Sequence, residues 1–330
     1  SYGLYNDDRT IVRFHALIWP ISGGNIYVHL VIMAFISFLG CFALYKAFKI
    51  MLPNLNKYLL IFICFLIPSC WFWTSGILKE GIMMFALGFC VLFYCKLINK
   101  FTLKDIVGFV IFACLLAISK VYVLPALIPA FIFLLASKKM KIKFQFILFI
   151  SIFAVSAVFV VLSDKIIGYN ILETISGKQN NFINYLSINN DAGSNFDLTQ
   201  MNPNVKSFVK LIPEGLINSF FRPFISDINS PAVFFSFLEI LLFCLLTFIS
   251  LLFFRKPNDE TMRFILFSTI YILFLYVVIG VYTPNIGALV RYRTPALPFL
   301  VAILFCLVNW NKLSSKLGFL KSKISFRNCR

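Results

Sequence analysis

The stretch Trp71-Phe72-Trp73-Thr74-Ser75-Gly76-Ile77-Leu78-Lys79-Glu80-Gly81 joins two apolar runs through a polar break that carries adjacent opposite charges. If those runs are membrane helices, this segment is a buried bend and not an ordinary loop. Composition decides that they are. Hydrophobic residues make up 60% of the 330 residues, Phe alone contributes 41, and charged residues only 13%, about half the share in a soluble domain. A soluble core cannot use so much apolar surface. Apolar runs bounded by Lys and Arg predict an all-α, polytopic transmembrane helical bundle, because helices satisfy their own backbone hydrogen bonds in lipid.

Outward from the break, apolar runs predict about nine spans, at 26–48, 58–74, 80–97, 105–119, 121–137, 144–163, 232–254, 264–283 and 294–310. The fourth and fifth share a run interrupted at Ser119-Lys120. That run is ~46 Å long as helix, too long for one ~30 Å crossing and short for two. Charge arbitrates, since cytoplasmic loops collect Lys and Arg. With two short helices there, 19 of the 30 cations fall inside and 11 outside. A single span would reverse everything downstream and put Lys138–Lys143 and the basic tail outside. Residue 1 is therefore expected outside and the C-terminus in the cytoplasm. The net charge of +17 then records topology, and its dispersal among short loops argues against nucleic-acid binding.

The whole chain reads as a single membrane domain, with residues 164–231 as a loop insertion expected to be extracytoplasmic. Within it, Val205–Ile212 and Leu216–Phe221 have helix-like apolar spacing around Pro213 and are expected as interfacial helices. Ser1 is not an initiator Met, so the sequence reads as an N-terminally truncated or processed chain. The nine Cys show no CxxC or Cys/His spacing, which gives neither a zinc site nor a disulfide framework and no metal ligands.

Several charged residues stand where lipid makes charge expensive. Thr74 or Ser75 can cap the third span, which puts Lys79 and Glu80 in its first turn. Glu80 suits the positive end of the helix dipole, whereas Lys79 needs something anionic opposite or a route to the headgroups. Lys120, at the tip of two helices too short to reach the outer surface, is expected in a recess. Glu239, about two turns into the seventh span, must find a cation or hydroxyl within the bundle. Arg222 follows the predicted interfacial helices. Arg291 and Arg293 flank Tyr292 in the last outer loop; such planar guanidinium forks suit paired phosphate oxygens. Asp7 and Asp8, beside Arg9, Arg13 and His15, can take a proton from a hydroxyl or hold a divalent cation, the one cofactor the sequence accommodates.

Together, the break Phe72–Glu80, the Phe221-Arg222-Pro223-Phe224 segment and Arg291-Tyr292-Arg293-Thr294-Pro295 make the chain resemble bacterial membrane enzymes of cell-surface polysaccharide assembly. These are the type C glycosyltransferases and O-antigen polymerases. The resemblance implies a multi-pass protein of the bacterial inner membrane that takes a polyprenyl-phosphate- or polyprenyl-diphosphate-linked sugar donor on its outer face and a glycan or lipid acceptor. It implies Asp7 or Asp8 as base; from their positions, Lys79, Lys120, Arg222, Arg291 and Arg293 are the expected phosphate ligands, with Glu80 as the group that tunes Lys79. A transporter or flippase of the same anionic lipid-linked glycans is the alternative. It predicts internal repeats and charges in both membrane halves, and neither is visible in the sequence. A non-catalytic scaffold using the long outer segment is the third reading.

Overall fold

A computed structural model describes residues 8–188 and 194–317. The helices, in chain order, are α1 (Asp8–Ser22), α2 (Ile26–Met51), α3 (Lys57–Phe65), α4 (Pro68–Ser75), α5 (Lys79–Asn99), α6 (Leu103–Ser119), α7 (Val123–Ala136) and α8 (Ile142–Ile167). They continue with α9 (Ile171–Ile188), α10 (Val205–Phe221), α11 (Pro231–Leu252), α12 (Asp259–Tyr282), α13 (Ile286–Arg293), α14 (Leu297–Leu307) and α15 (Trp310–Leu317). Among the described residues there is no β-strand, only two isolated bridges, Asn195 with Asn285 and Phe254 with Val308.

This is a helical bundle of the kind that crosses membranes. Helix occupies each of the nine apolar runs, but the runs are not equivalent. Five single helices, α2, α5, α8, α11 and α12, and the helical run Ile286–Leu307 are each long and apolar enough to cross. The pair α3 and α4, bent by 47°, makes a seventh if it counts as one span. Helices α6 and α7, with 17 and 14 residues, extend only ~25 and ~21 Å.

The central helices are α12 and the run Ile286–Leu307, whose apolar windows are 72% and 78% buried; α8 and α11, at 11% and 17%, leave their apolar sides outward. In a bilayer such faces meet acyl chains and need no protein cover. Two glycine contacts set the closest approaches. A Cβ on Gly88 of α5 would lie 2.0 Å from the Gly40 carbonyl oxygen of α2, and one on Gly280 of α12 would lie 1.9 Å from that of Gly215 on α10. Small residues of this kind let membrane helices touch backbone to backbone. Gly280→Ala is therefore expected to lower stability by about 1–3 kcal/mol through forced separation. Gly177→Ala on α9, where a Cβ meets nothing within 4 Å, is expected to be neutral or stabilising by ~1 kcal/mol. Denaturant unfolding in detergent measures both.

Three local expectations change. The segment 205–221 is one helix with Pro213 inside it, and Gly215 packs it against α12, so it is more than an interfacial helix pair. The tract Arg291-Tyr292-Arg293 is no loop: α13 runs through the 3-10 turn Thr294–Ala296 into α14. Pro295 and Pro298 do not break it because each occupies the first turn of its segment, where no intrahelical N–H is required. Neither Thr74 nor Ser75 caps α5. The N-cap position is Leu78, without a side-chain hydrogen bond, while Thr74 and Ser75 donate back to the carbonyls of Cys70 and Phe72.

Candidate functional site

Chain direction brings the N-terminus of α5, the α6–α7 junction, the C-terminus of α12 and the start of α13 to one end of the bundle. Three ionisable side chains meet there. Glu80, in the first turn of α5, is buried; Lys120, which ends α6, is buried as the shortness of α6 and α7 implies; Arg291, in the last turn of α13, is half-buried. Lys120 Nζ lies 2.9 Å and Arg291 Nε 3.1 Å from the same oxygen, Glu80 Oε1. The Arg291 Nε contact lacks hydrogen-bond alignment, so that attraction is chiefly coulombic. Lys79, beside Glu80, is within electrostatic reach of Lys120.

Aromatic rings wall this cluster. The Tyr292 ring centre is 4.7 Å from Lys120 Nζ and 5.2 Å from the Arg291 guanidinium carbon. Tyr122 packs on Tyr292 at 5.5 Å and on Tyr282 at 6.4 Å. The Tyr122 hydroxyl is buried without a hydrogen-bond partner among the described residues. Among the described residues two cations share one carboxylate at a largely buried position, an excess of one positive charge. A buried charge of that kind is costly unless something pairs with it. The arrangement thus favours an anion: two cations and a tyrosine hydroxyl are donors, and the single carboxylate is already engaged.

The other expected phosphate ligands form a second, neighbouring cluster. Glu239 Oε1 accepts from the Ser69 backbone N–H at 2.8 Å and Oε2 accepts from the Ser69 hydroxyl. Arg293, 1% exposed, brings Nη2 to 4.0 Å from Glu239 Oε2 and donates from Nη1 to the Arg222 carbonyl at 2.6 Å. Glu239 therefore faces the bundle and finds both a hydroxyl and a cation. Arg222 donates to Asn218 Oδ1 at 3.0 Å and Asp227 Oδ1 at 2.8 Å, with its guanidinium 3.9 Å from the Phe196 ring centre. Those contacts occupy Arg222 within the fold, whereas Arg293 keeps Nε and Nη2 buried without a hydrogen-bond partner among the described residues. The five cations expected around one phosphate thus divide: Lys120 and Arg291 converge, Lys79 adjoins them, and Arg222 and Arg293 brace the helices beside them.

Glu80 engages Lys120 and Arg291, a different arrangement from the local Lys79 pairing that adjacency suggests. Successive residues of a helix point in different directions, so a carboxylate that turns into the bundle leaves its neighbour on another face. Asp7 lies outside the described residues. Asp8 opens α1, and Thr10 Oγ1 of that helix is 3.4 Å from the Ile118 carbonyl, so the start of α1 adjoins the Lys120 junction. Farther along, His15 and His29 share an Nδ1–Nδ1 contact of 2.7 Å, and His29 Nε2 meets Ser22 Oγ at 2.7 Å. Burial and the neighbouring His29 push the His15 pKa below its ordinary value. Among the described residues no three His, Cys, Asp or Glu gather as metal ligands.

Sequence reading missed the tyrosine wall and Ser69. Tyr122 and Tyr282 look like interface aromatics, and only their common position at this end of the bundle hints at more. The chain matches no family model, no curated protein and no solved structure.

Proposed function

We propose that the protein is an integral membrane glycosyltransferase or polysaccharide polymerase that uses a polyprenyl-phosphate- or polyprenyl-diphosphate-linked sugar. The observation that carries this reading is the convergence of Lys120 and Arg291 on buried Glu80 inside a tyrosine wall at one end of an apolar bundle. An amphiphilic donor suits it: the anionic group meets the cations, and the prenyl chain lies along apolar helix faces. In this reading the cluster's end of the bundle is extracytoplasmic, because Lys96, Lys100, Lys138, Lys139, Arg255 and Lys256 lie near the other end. The protein then belongs to the bacterial inner membrane, with α6 and α7 as two short crossings that meet at Lys120 and residues 164–231 on the outer side.

During transfer the bond between the sugar's anomeric carbon and the phosphate oxygen breaks, and a bond to the acceptor hydroxyl oxygen forms. Negative charge grows on the departing prenyl phosphate, where Lys120 and Arg291 stabilise it; preorganised cations in a dry site contribute several kcal/mol to such a step. Glu80 is a positioning residue, since its Oε1 already engages both cations. Asp7 or Asp8 takes the acceptor proton, and Lys79 adds to the field around the phosphate.

Purified protein in proteoliposomes, given a polyprenyl-phosphate-linked sugar and a glycan acceptor, is expected to consume the donor and release prenyl phosphate. Movement of the intact donor across the vesicle wall without consumption would overturn the transferase reading in favour of a flippase.

A further inference from the structure

At the opposite end of the bundle from Glu80, a cavity of about 510 Å³ opens where α2 ends, α3 begins, α11 hands over to α12, and α14 hands over to α15. We propose that this cavity binds a phosphorylated glycerol unit, either the headgroup of an anionic glycerophospholipid or a soluble glycerol phosphate. This inference is independent of the transferase reading.

The floor is a fixed frame. The bridge between Phe254 and Val308 is closed by Arg255 N–H to the Leu307 carbonyl at 2.7 Å and Asn309 N–H to the Phe253 carbonyl at 2.7 Å. It ties the α11–α12 connection to the α14–α15 connection and carries the side chains of Arg255 and Lys256 at the rim. Five asparagines line the same space, Asn54, Asn56, Asn258, Asn309 and Asn311, and three of them use Oδ1 to cap a helix. Asn56 accepts from Tyr58 N–H, Asn258 from Thr261 N–H, and Asn309 from Lys312 N–H. A cap takes one lone pair of the amide oxygen and turns that oxygen toward the helix end.

The lining therefore combines net positive charge with neutral amides. Two cations stand against one carboxylate, Glu260, and five amides supply further donors. A complementary ligand carries acceptors and negative charge, as a phosphate does, with hydroxyls for the amides. Met51, Leu52 and Phe305 give the same cavity an apolar wall, which suits the first carbons of an amphiphile. The volume is that of an ordinary small-molecule site, and basic recesses at the ends of membrane helices hold anionic headgroups in this way.

The test uses the full chain in detergent and follows binding by native mass spectrometry, with phosphatidylglycerol, phosphatidylcholine and glycerol phosphate as separate probes. Each cation near a headgroup strengthens binding about fivefold. Arg255→Gln with Lys256→Gln is therefore expected to reduce the preference for phosphatidylglycerol over phosphatidylcholine by about 25-fold. Lys100→Gln with Lys104→Gln, a pair of exposed cations at the same end but outside the cavity, is expected to leave it unchanged. Loss confined to the Arg255/Lys256 variant with phosphatidylglycerol identifies the lipid source. The same loss with glycerol phosphate, in the absence of lipid selectivity, identifies the soluble source. Equal losses in both variants would reduce the effect to diffuse charge and overturn the proposal, as would unchanged binding in the Arg255/Lys256 variant.

Discussion

Arg291→Ala is expected to lower turnover of a polyprenyl-phosphate-linked donor by about 100- to 1000-fold, the usual consequence of removing one preorganised group that stabilises transition-state charge. The stability effect is expected to be smaller. Arg291 is the most exposed of the three ionic partners, and its removal leaves Glu80 still paired to Lys120 at 2.9 Å. Arg291→Lys is expected to recover part of the loss, because it restores charge without the planar fork. Lys120→Met should damage turnover to a similar degree, and the double variant should be little worse than either single one, since groups acting as a unit are not additive. Initial rates in proteoliposomes containing equal amounts of inserted protein measure all four. Full glycan assembly by a normally inserted Arg291→Ala protein would sink the phosphate-clamp reading.

The largest stability effect is expected at Glu239. Glu239→Ala leaves Arg293 as a fully buried guanidinium without its carboxylate and strips the Ser69 N–H and hydroxyl of their acceptor. Breaking a buried pair from one side costs about 3–5 kcal/mol, because a charge remains in low dielectric. Replacing both partners, Glu239→Met with Arg293→Met, is expected to recover most of that loss, since the orphaned charge disappears with its mate. Glu239→Gln should fall between them, because an amide oxygen still accepts from Ser69 while the charge match is lost. Unfolding midpoints in detergent give the order; equal midpoints for Glu239→Ala and the double replacement would refute the buried-charge account.

Much of the architecture was legible because in lipid one rule dominates: a backbone away from water must be helical, and apolar runs reveal where. A polar break between Trp71 and Gly81 and the burial of Lys120 follow from run lengths and polarity, whereas the helix start at Lys79 does not, because Thr74 and Ser75 look like caps. Legibility failed where a choice depended on neighbours distant in sequence. Adjacency suggested Lys79 as the partner of Glu80, whereas the carboxylate turns into the bundle and meets Lys120 and Arg291, from two other elements. The tract around Arg291 looked like a loop because of its charges and prolines; the prolines fall in first turns, and the arginines lie beside Glu80 and Glu239 from distant parts of the chain. Backbone contacts such as Gly215 against Gly280 leave only a glycine in the sequence, a weak mark among 15 glycines.

The attachment of α10 has a mechanical consequence. Ser219 Oγ donates to the Tyr276 carbonyl at 2.7 Å, Gln179 of α9 donates to the Val281 carbonyl at 2.8 Å, and Arg293 holds the Arg222 carbonyl. With the glycine contact, these bonds fasten α9 and α10 to α12 and α13 at several heights. Any displacement of α10 is therefore also a displacement of α12 and α13, the helices that bring Tyr282 and Arg291 to the ionic cluster.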